Sequence, residues 1–314
     1  MVECQFYTSS SKSIWDDFVR ASKLALFFFE RDYLEYHADR FLDASLIFYK
    51  DSKVIALFPA TRNGQALISH GGLTYGGLIF EPGVRSADIQ EVIGALCTYS
   101  RANGFSEILY KSVPYIFHRH PAQEDIYFLH NLHNARIVRR DLSCAIHLQS
   151  RLKLSKGRKW LLAKARKAGL QVTDSRDWSG FHSLLVDALS RHGVTPVHSA
   201  VELEYLHSKF PENIKLKTVS HEGVAVAACL LFVFNNVVHT QYLATSEVGK
   251  ELGALDYIIE HCIEMSKTAG YDFFNFGIST EQQGRYLNQG LIAQKESFGA
   301  RGVCVDFYEI SLDD

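Results

Sequence analysis

The chain has 314 residues, 47% of them hydrophobic and 12% aromatic, which excludes a disordered polymer and allows a large core. One domain takes roughly 100–200 residues, so two domains are expected. A formal charge of −2 argues against a protein that holds nucleic acid by bulk charge.

Six cysteines, Cys4, Cys97, Cys144, Cys229, Cys262 and Cys304, form no CxxC or metal-type spacing. Free cysteine in apolar surroundings behaves as a small hydrophobe, so no metal is expected and a reduced, cytoplasmic location is. The first eighteen residues show neither a basic segment nor a continuous apolar stretch of leader type. The apolar run 224–234 is too short to span a bilayer, so no transmembrane segment is expected.

In chain order, residues 14–41 read as helical and aromatic, with Phe27, Phe28 and Phe29 in the core. A meander follows. LIFYK turns at Asp51-Ser52 into KVIALFPATR, which turns at Asn63-Gly64 into ALISHGGLTYGGLIF. Asn-Gly between apolar runs is a strong hairpin signal. A helix over 86–102 is closed by Asn103-Gly104. The strand SEILYK, a helix over 123–134 and a strand over 136–148 complete the first half.

The second half repeats this plan. Helices over 156–167, closed by Gly169, and over 178–192 come first. The strand IKLKTVS turns at His221-Glu222-Gly223 into VAVAACLLFVF, which turns at Asn235-Asn236 into VVHTQYLATS. A glycine-bearing turn leads into a helix over 252–267, with Leu255, Ile258, Ile259, Cys262 and Ile263 at core spacing. A parallel strand over 272–276 then makes a βαβ unit. The start of its helix offers N–H groups and a positive dipole end to a phosphate or carboxylate. A last strand covers 302–310. The plan predicts domains over 1–149 and 150–314.

That order resembles the GNAT acyltransferase fold, which implies an α/β protein of two tandem GNAT-like domains facing each other across a cleft. In that family the strand before the central helix splays from its neighbour, acyl-pantetheine lies in the gap, and the pyrophosphate sits on the helix start. The family loop, Arg/Gln-x-x-Gly-x-Gly/Ala, aligns with Val248-Gly249-Lys250-Glu251-Leu252-Gly253, which departs at Val248 and Glu251. The resemblance assigns Gly249, Lys250, Leu252, Gly253 and Ala254 to the donor, acyl-CoA and foremost acetyl-CoA.

Two such halves are similar to the Fem-type aminoacyl transferases and to related acetyltransferases of bacterial polysaccharide pathways. The residues that carry this are Arg158-Lys159 with Ala165-Arg166-Lys167-Ala168-Gly169, the strand end Phe274-Asn275-Phe276-Gly277, and Gly290-Leu291 with Gln294-Lys295-Glu296-Ser297-Phe298-Gly299. The last segment resembles the family's GL…FKxxFG. The long coiled-coil arm of that family is missing. The resemblance implies that Lys295 stabilises an oxyanion; otherwise it is a solvated loop lysine.

Four further groups are candidates. Glu281, just past a strand end, is either a general base or the cap of a helix beginning near Thr280. His239 and Gln241 share a strand face by alternation and could line a cleft, with Tyr242 on the opposite face; a core histidine is the alternative. His192 and His198 flank a loop, 193–197, expected to reach over the site. The segment 69–77, with four glycines, is either a phosphate nest or a tightly packed bulged strand; it suggests an acceptor site with Tyr75 and Lys111 as contacts.

Eight basic residues and no acidic one lie between Arg151 and Gly169. They could attract a nucleotide sugar, a lipid carrier or RNA, with Arg158 and Arg166 foremost, or form a solvated face. The expected activity is acyl transfer from acyl-CoA to an amine of a sugar or peptide precursor by direct attack. The alternatives are an aminoacyl-tRNA-dependent transferase acting on a cell-wall precursor, and a non-catalytic binding protein with a decayed donor site. Oligomeric state and acceptor identity stay open.

Overall fold

The structure, a computed structural model, describes residues 1–133, 135–191 and 193–313. Asn134, the last residue of the helix expected over 123–134, and His192 lie outside the described residues. The chain divides into two compact units. The first is Met1–Leu142 with Thr280–Tyr286 and Cys304–Asp314; the second is Ser143–Ser279 with Leu287–Val303. Neither is one continuous stretch of chain.

The first unit begins with β1 (Glu3–Phe6), α1 (Lys12–Ala21) and α2 (Arg31–Leu34). The stretch expected to be helical over 14–41 is broken into short pieces. The Ser22 hydroxyl accepts from the Ala25 N–H at 2.9 Å and Ala25 adopts φ +47°, which ends the helical run. Then come β2 (Leu42–Asp43), β3 (Leu46–Lys50), β4 (Lys53–Phe58), β5 (Thr61–Asn63), β6 (Ala66–Ile68) and β7 (Ile79–Phe80). The expected strand KVIALFPATR is split at Pro59, which has no N–H for a ladder, and its two pieces enter different sheets.

Helix α3 (Ser86–Ala102), β8 (Glu107–Lys111), α4 (Glu124–Leu132) and β9 (Arg136–His147) follow. Strands β6 and β8 pair in parallel across α3, a βαβ unit. The core packs Phe48, Phe58, Ile89, Val92, Ile93, Leu96 and Ile108 together.

The second unit opens on α5 (Lys156–Lys167), β10 (Val172–Ser175), α6 (Trp178–Ser190) and α7 (Ala200–Lys209). Strand β10 and helix α7 were not expected; α7 carries a capping box of Ser199 and Glu202. Strands β11 (Ile214–His221), β12 (Val224–Val233) and β13 (Val237–Thr245) form the predicted antiparallel meander.

Next are α8 (Glu247–Leu252), α9 (Ala254–Thr268) and β14 (Phe273–Ile278). The expected glycine turn is therefore a short helix. Gly253, at φ +73°, closes α8 in the left-handed conformation and starts α9. The chain ends with β15 (Thr280–Glu281), β16 (Tyr286–Leu287), α10 (Gln289–Ser297) and β17 (Arg301–Ser311).

In the second unit the order is β10–β11–β12–β13–β14, followed by the last residues of β9. Ile258, Ile259, Cys262 and Ile263 are the buried face of α9, as their spacing predicts. From Cys304 onward β17 belongs to the first unit, where Phe307 to Ser311 pair antiparallel with Lys111 to Glu107 of β8.

Candidate active site

The site is built where β13 and β14 part. They pair in parallel at only three positions, Val237–Phe273, Val238–Phe274 and His239–Asn275. Strand β13 runs on to Thr245, while β14 bends at Gly277, φ +74°. The β12–β13 register slips by one residue, from Leu231–Thr240 to Leu230–Tyr242, so Gln241 is the extra residue of a bulge. The slip corrects the expected facing. His239 pairs with Phe232 and Tyr242 with Leu230, two residues apart on β12, so His239 and Tyr242 share a face.

His239 and Asn275 meet across the last rung of the ladder. The His239 Nδ1–Asn275 Oδ1 distance is 2.7 Å. Asn275 is 2% exposed. Its Oδ1 also accepts the Gly277 N–H at 2.9 Å, and its Nδ2 donates to Ser143 Oγ at 3.0 Å and to the Cys144 carbonyl at 3.4 Å. Burial pushes the His239 pKa down to about 4; the Asn275 bond opposes this and the Lys295 charge adds to it. The imidazole is neutral at pH 7.

Lys295 is not a loop residue. It sits in α10, 6% exposed, and its ammonium donates to the carbonyls of Gly277 at 2.9 Å and Ile278 at 2.6 Å. Burial lowers its pKa to about 8, so it remains largely charged at pH 7. An ammonium has three N–H donors, and one is left beyond these two bonds.

Tyr242, His198 and Gln241 form a second cluster. His198 Nδ1 and the Tyr242 hydroxyl are 2.8 Å apart, and Gln241 also bonds to Tyr242. Burial raises the Tyr242 pKa, so the phenol is neutral.

The start of α9 is occupied by the chain itself. Gly253 and Ala254 are buried, and a Cβ on Gly253 would stand 2.8 Å from the Leu161 carbonyl of α5. Asp256, in the first turn, binds the Arg158 guanidinium, whose Nε also donates to Ser297 Oγ at 2.7 Å. The helix start expected to be open thus lies against α5. Gly249 lies inside α8, where its Cα backs onto the Val226 carbonyl. Leu252 is half-buried; Lys250 is exposed and pairs with Glu247 at 2.9 Å.

Arg166 is exposed on α5, on a face that also bears Lys156, Lys159, Lys164 and Lys167. Trp160 lies among them, 62% exposed, with the Lys164 ammonium 5.4 Å from its ring centre.

The remaining candidates belong to the first unit. Glu281 is exposed in β15, which pairs with β16, so no helix begins at Thr280. Tyr75 is buried against Phe28 and Phe117. Lys111 is 4% exposed and donates to the carbonyls of His70 and Leu73. That ammonium draws the 70–73 backbone out of the ladder, so the segment is irregular rather than a strand. Burial lowers the Lys111 pKa to about 7.

Sequence reasoning gave no role to Asn275 or Asp256. A lone amide in the apolar strand FFNFG was the available signal for Asn275, since a buried polar group must be hydrogen-bonded. Among the described residues, no three His, Cys, Asp or Glu side chains gather as metal ligands. Among the same residues, no helix is long and apolar enough to cross a membrane.

Residues 150–286 match the family model of the acetyltransferase (GNAT) domain. No curated protein sequence matches the chain. Among solved structures, FemX is similar at TM-score 0.70 and 10% identity, over 98% of this chain and 97% of that one. The C-terminal domain of a putative lysylphosphatidylglycerol synthetase from Agrobacterium fabrum is similar at TM-score 0.66 and 11% identity, covering 96% and 92%. A tandem GNAT protein from the clavulanic acid biosynthesis pathway is similar at TM-score 0.52 and 9% identity, covering 100% and 99%. At these identities the likenesses speak to fold. The chain has the tandem, Fem-like GNAT fold, and the match to the GNAT family model lies in its residues 150–286.

Proposed function

We propose that the protein transfers an acyl group from acyl-CoA to an amine, by direct attack and without an acyl-enzyme. The observation that carries this reading is the parting of β13 from β14 beyond the His239–Asn275 rung. Backbone groups of β13 beyond that rung lack a partner in β14, and an extended acyl-pantetheine arm carries amides able to pair with them. The acceptor nitrogen attacks the thioester carbonyl; the C–N bond forms and the C–S bond breaks. The proton leaving nitrogen passes through the neutral His239 imidazole to the departing thiolate. The third N–H of Lys295 supports the oxyanion. Tyr242, Gln241 and His198 hold the acceptor. Sugar or peptide precursors bearing a primary amine are the acceptor class.

A second reading takes an aminoacyl-tRNA as donor. It is favoured by α5, whose exposed Lys156, Lys159, Lys164, Arg166 and Lys167 form no ion pair among the described residues, with Trp160 exposed beside them to stack on a base. The occupied start of α9 points the same way, because the usual seat of a pyrophosphate is taken by Leu161, Arg158 and Asp256. Calorimetry with acetyl-CoA, longer acyl-CoAs and charged tRNA separates the two. Thiol release from an acyl-CoA that depends on an added amine supports the first. Salt-sensitive tRNA binding with no affinity for any acyl-CoA overturns it in favour of the second.

A further inference from the structure

The amide of Asn275 can be oriented only one way. Amide oxygen and nitrogen are ordinarily assigned from the surrounding network. Here two backbone groups of fixed character flank the side chain. The Gly277 N–H can only donate, and it lies 2.9 Å from Oδ1. The Cys144 carbonyl can only accept, and it lies on the Nδ2 side with Ser143 Oγ. Turning the amide over would set donor against donor at Gly277 and acceptor against acceptor at Cys144, at a side chain only 2% exposed. The oxygen must therefore face His239, and the ring nitrogen 2.7 Å away must carry a proton. A neutral imidazole has one such proton, so Nε2 holds a lone pair.

We infer that Asn275 is a positioning residue that fixes His239 in the Nδ1–H form, leaving Nε2 as the proton acceptor of the acyl-transfer site. The proton-accepting role rests on the proposed acyl transfer; the tautomer does not. The surroundings hold the ring neutral. Burial disfavours the charged imidazole, and the Lys295 ammonium of α10 repels a second proton. In the reaction, the ammonium formed when the amine attacks gives its proton to Nε2. The imidazole passes it to the thiolate and returns to its starting state, so no net charge accumulates. In the opposite tautomer Nε2 would carry a hydrogen and could not accept it. Asn275 thus acts through His239 rather than on the substrate.

Nitrogen-15 NMR of the wild-type imidazole tests the tautomer without any substrate. A protonated Nδ1 and a bare Nε2 at pH 7 are expected; a proton on Nε2 overturns the inference. Two variants test the cause. Asn275→Asp keeps an acceptor for His239 and Gly277, so Nδ1–H should persist and the imidazole pKa should rise. Asn275→Leu removes the acceptor, and the proton should move to Nε2. A folded Asn275→Leu protein that keeps Nδ1–H shows that something else fixes the ring. In the acyl-transfer assay Asn275→Leu should lower kcat on the order of 100-fold, with KM nearly unchanged. An altered tautomer with kcat intact refutes the positioning role. Absence of acyl transfer in the wild type, with the tautomer as expected, would count against the proposed function and leave the orientation standing.

Discussion

Two of the three N–H donors of Lys295 end on the carbonyls of Gly277 and Ile278, so its position is set by the bend in β14. A donor held this firmly needs no reorganisation as charge develops beside it. Lys295→Ala should cut turnover by roughly 100- to 1,000-fold with donor affinity nearly intact. Stability should change less, because the lost bonds are offset by removing an ammonium whose pKa burial already lowers to about 8. Lys295→Arg should recover only part, since a planar guanidinium aims its donors differently. Single-turnover kinetics beside a thermal melt decide it, and a variant at full speed removes Lys295 from the chemistry. His239 adds a pH effect of definite sign. Its folded pKa, about 4, lies below the ~6.5 of an unfolded histidine, so the unfolded chain binds more protons between these values. Its contribution is complete above pH ~6.5 and is lost as pH falls toward 4, by up to about 3 kcal/mol. Urea unfolding at pH 7, 5 and 4 should show this slope, and His239→Gln should reduce it; an equal slope in the variant would contradict the cause.

Among the elements, α8 and α9 show what alternation and periodicity can and cannot specify. The βαβ unit was legible, because Ile258, Ile259, Cys262 and Ile263 fall on one helical face and the flanking strands are rich in apolar residues. The break at Gly253 was not, because a glycine that ends one helix and starts the next reads like any glycine in a turn. The bulge at Gln241 was equally hidden. Strict alternation put Tyr242 opposite His239, and only the partner strand's register reveals the slip. Lys295 was misplaced on a loop because α10, QGLIAQKES, lacks an apolar stripe to announce a helix. Gly249 offers an element-scale test. A methyl group there would collide with the Val226 carbonyl and stand 2.5 Å from Thr245 Oγ1, and neither can retreat without disturbing β12 or β13. Gly249→Ala should destabilise the second unit by ~1–3 kcal/mol, seen as a lower urea midpoint. An unchanged midpoint would mean that α8 stands off the sheet.

For the molecule as a whole, the least legible feature is the membership of β17. Its alternating pattern specifies which residues face a core but not which core. In the structure Tyr308, Ile310 and Leu312 are buried in the core of the first unit, and the Arg101 guanidinium donates to the Leu312 carbonyl at 2.9 Å. Removing all residues after Val303 should therefore damage the unit more than 160 residues upstream in sequence. Limited proteolysis should cut first within 1–142 and only later within 143–279. Identical cleavage of truncated and full-length chains would refute that dependence.

Residues 304–311 also set a clock on biosynthesis. Strand β8 lies between β6 and β17, so until residues 304–311 leave the ribosome, one side of β8 has no partner. At ordinary elongation rates that interval lasts roughly 10–30 s after residue 142 is made. Throughout it the nascent first unit presents Ile108 and Tyr110 on an open strand edge, a surface that invites chaperone capture or pairing with a neighbouring nascent chain.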